Sequence, residues 1–276
     1  MTDAEFNQRF LDALEQLSKE SFEIVVSHEY RPTTGPRMSS LGSCARKSWY
    51  SASGTPETNP QPAERNWSTM LGNHIQGMAA AVLERMGYIV EGQEQTVELA
   101  DGLIVGHVDG RLSGLDLDTS WAVWDSKGRG LWGLVGTKKS MGLIANEIVQ
   151  ADMDIYMQMQ AYMAALDKEL TIVTVHPYDL SGLRVQAIQK HLPVQPAYRK
   201  IVYADEEAQK LALTRGKILA AAIKGGLMPQ REFDPTRDEF PCNYCPWRSQ
   251  CLLDELSIKI EVYLPTIPAE WAWTKV

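Results

Sequence analysis

Four unevenly spaced cysteines constrain the fold of this chain most. Three of them form a C-x2-C-x5-C pattern, Cys242, Cys245 and Cys251, and Cys44 lies 198 positions before the first of these. In a reducing compartment, four cysteines more often serve metal binding or catalysis than disulfides, and four thiolates can hold either zinc or an iron–sulfur cluster. One shared metal centre would bring residue 44 beside the carboxyl-terminal triplet and close almost the whole chain into one loop. Four unrelated thiols remain the alternative.

Composition places few other limits on the chain. Its 276 residues are 44% hydrophobic and 22% charged, which is typical of a globular protein that can bury a core without disulfide bonds. The net charge of −8 argues against non-specific nucleic-acid binding but leaves a nuclease open, because catalytic carboxylates add negative charge. No apolar run approaches the roughly 20 residues of a membrane span, and the first residues do not resemble a signal peptide. We therefore expect a cytoplasmic protein without a membrane partner.

The spacing of apolar residues predicts the order of helices and strands. Period-3.6 patterns predict helices over residues 4–19, 68–86, 148–166 and 205–223. Alternating patterns predict strands over 88–90, 95–99, 103–112, 121–127 and 171–178. A turn over 113–120 predicts an antiparallel hairpin, and the glycine-rich residues 128–142 predict a mobile loop. Without internal repeats, this order favours a single α/β domain with a metal-bound appendage.

The hairpin carries the candidate catalytic residues. Alternation places Asp125 and Lys127 on one face of their strand, and pairing with the preceding strand would bring Asp109 next to them. Two carboxylates suit Mg²⁺ or Mn²⁺, which activates a water, and a lysine can orient that water or stabilise charge on a phosphate. The alternative is two strand-end aspartates and a surface lysine, since such short motifs are common.

Four motifs in a fixed order resemble those of a known enzyme family. They are Gly72-Asn-His74, Gly106-His-Val-Asp109, Asp125-Ser-Lys127 and Gln158-x3-Tyr162. This order is similar to that of the RecB-like branch of the PD-(D/E)XK nucleases. The resemblance implies a central mixed β-sheet flanked by helices, a restriction-endonuclease-like fold that cuts DNA with Mg²⁺ or Mn²⁺.

The resemblance also implies a role for each motif residue. It assigns metal binding to His74, Asp109, Asp125 and the Ser126 carbonyl, and it makes Lys127 the catalytic lysine. Gln158 and Tyr162, four residues apart on one helical face, would line the site and position the substrate strand. A packed core histidine and a polar seam on a methionine-rich helix are the alternatives for His74 and for the Gln158–Tyr162 pair.

The cysteine pattern resembles a narrower group, the iron–sulfur RecB-like nucleases. These include CRISPR-associated spacer-acquisition nucleases and the nuclease domain of AddB, and the run from Cys44 through Arg46 to Tyr50 matches their first cysteine segment. The resemblance implies a [4Fe–4S] cluster on Cys44, Cys242, Cys245 and Cys251 that ties the carboxyl-terminal segment back to the nuclease. We expect a helical extension over 1–40, the nuclease domain over 41–256 and a tail over 257–276.

Basic and aromatic residues near the motifs suggest how DNA would bind. The candidates are Arg46, Arg129, Trp132, Lys138 and Lys139, and the glycine-rich loop could clamp a single strand by charge and stacking. A solvated loop is the alternative. The chain lacks a helicase phosphate loop, so duplex unwinding would require a helicase or recombination partner.

The sequence therefore predicts a metal-dependent DNA exonuclease, with endonuclease activity also open, acting at single-stranded or free ends. Recombination, repair, phage DNA processing and CRISPR adaptation are all compatible settings. The alternative is a non-catalytic iron–sulfur module that binds DNA ends or docks a partner. An RNA-directed nuclease is a third interpretation that the sequence does not separate from the first.

Overall fold

The computed structural model describes residues 1–18, 35–60, 63–114, 120–136, 142–192, 194–237, 241–254 and 262–268. The helices in these ranges are α1 (Asp3–Ser18), α2 (Ala45–Ala52), α3 (Ala63–Arg85), α4 (Leu131–Val135), α5 (Ile148–Ala151), α6 (Met153–Leu166), α7 (Leu180–Gln189), α8 (Glu206–Gly225) and α9 (Arg248–Asp254). The strands are β1 (Ile89–Glu91), β2 (Gln95–Leu99), β3 (Ile104–Val108), β4 (Gly110–Ser113), β5 (Ala122–Arg129), β6 (Leu170–Pro177) and β7 (Tyr198–Tyr203). Short 3-10 helices span Met38–Ser40 and Cys242–Tyr244.

A mixed five-stranded sheet forms the centre of the molecule, as the sequence predicts. Its strand order is β1-β4-β5-β6-β7, in which β5 and β6 run parallel and the other neighbours are antiparallel. The predicted hairpin is present as β4 and β5, with Gly110 opposite Trp124. Strands β2 and β3 form a separate antiparallel pair.

Two apolar cores cover the two faces of this sheet. Successive residues of β5 point to opposite faces, so Val123 packs in the core with α6 and α8, and Trp124 packs in the core with α1 and α3. The indole N–H of Trp124 donates a 3.0 Å hydrogen bond to Thr174 Oγ1. By the same alternation, Asp125 lies on the α6 face of the sheet.

The predicted strand over residues 103–112 is wrong in one respect that matters for the site. It is two strands, because β3 pairs with β2 and β4 pairs with β1 and β5. Asp109 lies between them, in neither set of paired residues. The chain therefore changes sheets at Asp109, and we call this point the fork.

Other corrections concern helices. The predicted helix over 148–166 is two helices, since Asp152 has extended backbone angles and its side chain caps α6 by accepting a 3.2 Å hydrogen bond from the Ile155 N–H. The expected loop over 128–142 instead contains the end of β5 and helix α4, while residues 137–141 lie outside the described ranges. The sequence patterns did not predict α2, α7 or β7. Within the described ranges, no helix is long and apolar enough to span a membrane.

Candidate active site

The fork brings Asp109 against β5. The backbone N–H of Ser126 donates a 2.7 Å hydrogen bond to Asp109 Oδ2. Continuing the β4–β5 register by one residue places Asp109 opposite Asp125, so the two carboxylates occupy the same end of the hairpin. The structure therefore gathers the two acids that the alternation of the strands suggests.

Lys127 completes this group of charges. Its Nζ lies 2.7 Å from Asp125 Oδ2 in an ion pair whose acid is fully buried and whose lysine side chain is 19% exposed. Burial acts to lower the pKa of Lys127, but the charges of Asp125 and Asp109 outweigh it and raise that pKa. Lys127 is therefore a positively charged group with an accessible surface beside two acids.

The two carboxylates are in an unfavourable position for negative charge. Burial raises the pKa of Asp109 to about 8, and the neighbouring charge of Asp125 contributes to the increase. Burial also raises the pKa of Asp125, against the opposing charge of Lys127. Asp125 Oδ1 is buried, and within the described residues it has no hydrogen-bond partner. Oxygen ligands of this kind fit Mg²⁺ or Mn²⁺ by the chemistry of the donors.

His74 is the predicted metal ligand on the helix before the sheet. It lies on α3 and is exposed, and the described ranges contain no cluster of three or more His, Cys, Asp or Glu side chains that could hold a metal ion. The contact that the structure shows between Ser126 and the acids is the hydrogen bond from its N–H to Asp109. The metal-ligand roles of His74 and of the Ser126 carbonyl stay predictions.

The Gln158–Tyr162 pair lies behind the acids and contacts the chain just before the fork. Gln158 Nε2 donates a 2.8 Å hydrogen bond to Tyr162 Oη, which in turn donates a 2.5 Å hydrogen bond to the carbonyl of His107, two residues before Asp109. The Tyr162 side chain is only 2% exposed. In this structure the pair holds the backbone that leads into Asp109.

Glu94 is a site residue that the sequence patterns missed. It lies between β1 and β2 with a left-handed φ of 56°, and Gln76 on α3 donates a 3.1 Å hydrogen bond to its Oε1. Its negative charge acts to raise the pKa of both Asp109 and Tyr162, so this carboxylate lies near them. Residues other than glycine adopt this left-handed backbone only at an energetic cost. A single turn residue of this kind follows no periodic pattern, so the sequence patterns could not single out Glu94.

Arg129 and Trp132 lie at the end of β5 and in the helix that follows. Arg129 Nη2 forms a 2.6 Å ion pair with Asp152, the residue that caps α6, and both charges act on Asp125. Trp132 is 59% exposed on α4. Of the residues predicted to bind DNA, Arg129 therefore lies near Asp125 and Trp132 lies exposed on the helix that follows β5, whereas Lys138 and Lys139 lie outside the described ranges.

Arg46 is a correction to the predicted DNA-binding set. Its side chain is buried, Nε donates a 2.9 Å hydrogen bond to the carbonyl of Pro229, and Nη1 lies 3.8 Å from Cys251 Sγ. The residue faces inward because α2 packs its first turn against the carboxyl-terminal cysteine segment. A phosphate backbone outside the molecule could not reach this guanidinium.

The four cysteines approach one another although they come from distant parts of the chain. The charge of Cys251 acts on the thiols of Cys44, Cys242 and Cys245. Burial raises the pKa of Cys44 to about 12 and that of Cys242 to about 11. All four thiols are free, and within the described residues they do not form a metal-binding group. The four-cysteine metal cluster therefore stays a prediction.

Comparisons with known proteins found several similar solved structures and no curated sequence relative. Solved structures similar to the chain include the alkaline exonuclease LHK-Exo from Laribacter hongkongensis in complex with dAMP, with 13% identity, a TM-score of 0.46 and coverage of 70% of this chain and 89% of that one. Another is a phage-related exonuclease from Haemophilus somnus 129PT, with 16% identity, a TM-score of 0.42 and coverage of 70% and 96%. No curated protein matches the chain by sequence.

A family model supplies the assignment that these distant structures do not. The model of the PD-(D/E)XK nuclease superfamily matches residues 12–252, which is most of the chain and includes the fork, β5 and the cysteine segments. The chain therefore belongs to the PD-(D/E)XK nuclease superfamily.

Proposed function

We propose that the protein is a metal-dependent DNA nuclease that acts as an exonuclease at single-stranded or free DNA ends. The observation that carries this proposal is the group formed by Asp109, Asp125 and Lys127 at the fork. Two buried carboxylates beside an accessible lysine have no evident structural purpose, because burying like charges costs stability. The same arrangement suits hydrolysis of a phosphodiester bond.

Asp109 and Asp125 would hold Mg²⁺ or Mn²⁺, with the Ser126 carbonyl and His74 as further proposed ligands. When bound, the ion would lower the pKa of a water and neutralise charge on the phosphate. The orphaned Oδ1 of Asp125 supports this donor set, because a buried carboxylate oxygen without a hydrogen bond is costly unless something binds it. Glu94 adds a third carboxylate nearby.

The protein's own residues would orient the attacking water and stabilise the charge that develops on the phosphate. Asp125 fixes the ammonium group of Lys127 at 2.7 Å and keeps it charged, and the partly exposed lysine side chain can reach a phosphate oxygen or the attacking water. In the reaction, the water oxygen forms a new bond to phosphorus, the bond to one sugar oxygen breaks, and the departing oxygen takes up a proton. Tyr162 and Gln158 hold the β3 backbone, and thereby Asp109, in place for this step.

DNA would approach along the end of β5. Trp132 offers an exposed ring on which a base can stack, and Arg129 adds positive charge beside the acids. Stacking of this kind favours an unpaired base, which supports the preference for single-stranded or free ends. A helicase or recombination partner would supply such ends from a duplex.

We also propose that Cys44, Cys242, Cys245 and Cys251 hold a [4Fe–4S] cluster with a structural role. Support comes from the donor chemistry and from the convergence of the other three thiols on Cys251. Aromatic residues Tyr50 and Trp247 pack beside this site. Such a cluster would tie the chain before α2 to α9 and enclose the nuclease domain, for which we propose the bounds 41–256.

The nuclease proposal is tested with purified protein and DNA labelled at either the 5′ or the 3′ end. Single- and double-stranded forms are incubated with Mg²⁺ or Mn²⁺, alongside Asp125→Ala and Lys127→Ala. We expect metal-dependent degradation by the wild type and its loss in both variants, with the position of the label giving the polarity. Replacement of Lys210, an exposed lysine of α8, by alanine is the matched control and should leave the rate unchanged.

Other outcomes of this assay identify the alternatives. Binding of DNA ends without cleavage in either metal would exclude the enzyme and favour the non-catalytic end-binding module. Faster degradation of RNA than of DNA would reassign the substrate. Iron and acid-labile sulfide measured in protein purified without oxygen test the cluster, and zinc in their place would refute it. Cys245→Ala should lower both the metal content and the melting temperature.

A further inference from the structure

Arg46 is a buried cation placed among the cysteines. Its side chain is 1% exposed and lies in the first turn of α2, two residues after Cys44. Nε donates to the Pro229 carbonyl at 2.9 Å, and Nη1 donates toward Cys251 Sγ at 3.8 Å, a normal distance for a hydrogen bond to sulfur. One side of the guanidinium is therefore satisfied by a neutral carbonyl and the other points at a thiol.

The charge of Arg46 lacks a carboxylate counterpart in the part of the chain that the structure describes. Its two hydrogen bonds go to a carbonyl and a sulfur, and the nearby Asp254 accepts instead from Tyr50 and Gln250, each at 2.7 Å. A guanidinium stays charged at any physiological pH, so burying one without an anion is expensive. An anionic partner is therefore expected beside it.

A second buried arginine shows how the charge of a guanidinium is compensated elsewhere in this fold. Arg215 is 2% exposed, and its Nη1 forms a 2.7 Å ion pair with Glu232 as well as hydrogen bonds to backbone carbonyls. The chain supplies a carboxylate to Arg215, whereas Arg46 faces Cys251. The contrast points to sulfur as the negative group near Arg46.

The surroundings of the other cysteines fit this interpretation. Backbone N–H groups of Lys47 and Arg46 donate to the sulfur of Cys44, and the N–H of Trp247 donates to the sulfur of Cys245. Together with the Arg46 contact to Cys251, hydrogen-bond donors therefore face the sulfur atoms of three of the four cysteines, Cys44, Cys245 and Cys251. Such donors favour negative charge on sulfur. Buried thiolates of this kind persist when a metal binds them.

We propose that Arg46 is the charge partner of the four-cysteine site, placed to compensate the net negative charge that its sulfur atoms carry when they hold a metal centre. Arg46 is a positioning residue and contacts neither DNA nor the catalytic acids. The inference rests on the cluster part of the proposed function. A positive charge beside the sulfur atoms makes the centre easier to reduce and slower to lose.

The test compares Arg46→Gln and Arg46→Met, which remove the charge, with Arg46→Lys, which keeps it. Tyr50→Phe is the control, because it removes a buried hydrogen bond beside the same cysteines without changing charge. Proteins purified without oxygen are assayed for iron and sulfide, for the rate of iron loss to a chelator, and for the reduction midpoint. Both neutral variants should lose iron about tenfold faster and have a more negative midpoint, and the lysine variant should recover most of each change.

Each other outcome overturns the inference in an identifiable way. Neutral variants with wild-type midpoint and metal loss would exclude a charge role. Equal changes in Arg46→Lys, Arg46→Gln and Tyr50→Phe would show that only packing matters. Wild-type protein without bound metal would refute this inference and the cluster together, while DNA cleavage by the same sample would still report on the nuclease site. If zinc is the bound metal, the cluster proposal fails and the rate of metal loss alone decides on Arg46.

Discussion

Asp109 and Ser126 are joined across the fork by a 2.7 Å hydrogen bond from the Ser126 N–H to Asp109 Oδ2. The bond fixes the carboxylate of a residue that belongs to neither sheet. It also means that an amide at position 109 can keep the same acceptor while losing the charge. Asp109→Asn therefore separates the chemical role of this side chain from its structural one.

Asp109→Asn should reduce DNA cleavage by at least about 100-fold, because the metal loses a charged ligand. Without divalent metal and at pH 9, above the pKa of about 8 that burial gives Asp109, the variant should melt higher by roughly 2–4 °C, since one of two neighbouring buried charges is gone. Divalent metal should raise the melting temperature of the wild type and not that of the variant. Asp12→Asn, on the exposed face of α1, is the control; cleavage by Asp109→Asn at the wild-type rate would contradict this assignment.

Tyr162→Phe should destabilise the fold by about 1–3 kcal/mol, because the carbonyl of His107 and the amide of Gln158 lose their buried partner. We expect a lower kcat with little change in KM for DNA, since the hydroxyl acts on the backbone before Asp109. Urea unfolding and steady-state cleavage provide the two measurements. Tyr203→Phe, at an exposed position on β7, should change neither. A rise in KM alone would instead indicate contact with the substrate.

Gly106→Ala should cost about 1–3 kcal/mol of folding stability by overpacking. A Cβ at this position would lie 2.6 Å from Tyr162 Cε1 and 2.8 Å from Met38 Sδ, so the tyrosine ring must move. Gly130→Ala is the matched control, because its Cβ would meet nothing within 4 Å. Equal unfolding midpoints in urea for the two variants would refute the steric argument.

His176 should make the fold sensitive to acid. Burial lowers its pKa to about 4 from 6.5, and its Nε2 is buried without a partner among the described residues, so protonation would leave a buried donor unsatisfied. Since the unfolded chain binds the proton more readily, stability is lost as the pH falls from 6.5 towards 4, by about 2 kcal/mol at pH 5. Urea unfolding at pH 7.5 and pH 5 is compared between the wild type and His176→Gln, because the raised pKa values of Asp109 and Asp154 stabilise both proteins alike as the pH falls. The change in unfolding free energy from pH 7.5 to pH 5 should be about 2 kcal/mol more favourable in the variant. An equal change in the two proteins would exclude this role of His176.

The sequence predicts those parts of the fold in which a local pattern coincides with a local structure. Helix α8 is an example: Asp205 caps its first turn and Gly226, with a left-handed φ of 65°, ends it, close to the predicted bounds. The hairpin follows in the same way from alternating residues, whereas the mixed sheet was implied by the resemblance to the nuclease family. Strand β7 was missed because Tyr198–Tyr203 mixes polar and apolar residues at an edge of the sheet, where one side of the strand is unpaired.

The site was predicted through its strand residues and missed where tertiary contacts decide. Asp125 and Lys127 share a face of their strand because side chains alternate along a strand, and this alternation can be read directly from the sequence. The position of Glu94 depends on a left-handed turn and on Gln76 from a distant helix, and the burial of Arg46 depends on the packing of α2 against the cysteine segment. Neither has a periodic signal. The break at Asp152 did have a local signal, because an aspartate that precedes a helix with a second acid in its first turn is a common N-terminal cap.

The fork has a consequence for how such a protein can change over evolutionary time. Because Asp109 pairs with no neighbouring strand in the described sheets, replacing it breaks none of their ladder hydrogen bonds. A single nucleotide substitution can therefore silence the acid and leave the folded scaffold, with its exposed Trp132 and its cysteine segments, available for selection. Descendants that retain the shape of the enzyme but have become accessory subunits are one mutation away from this sequence.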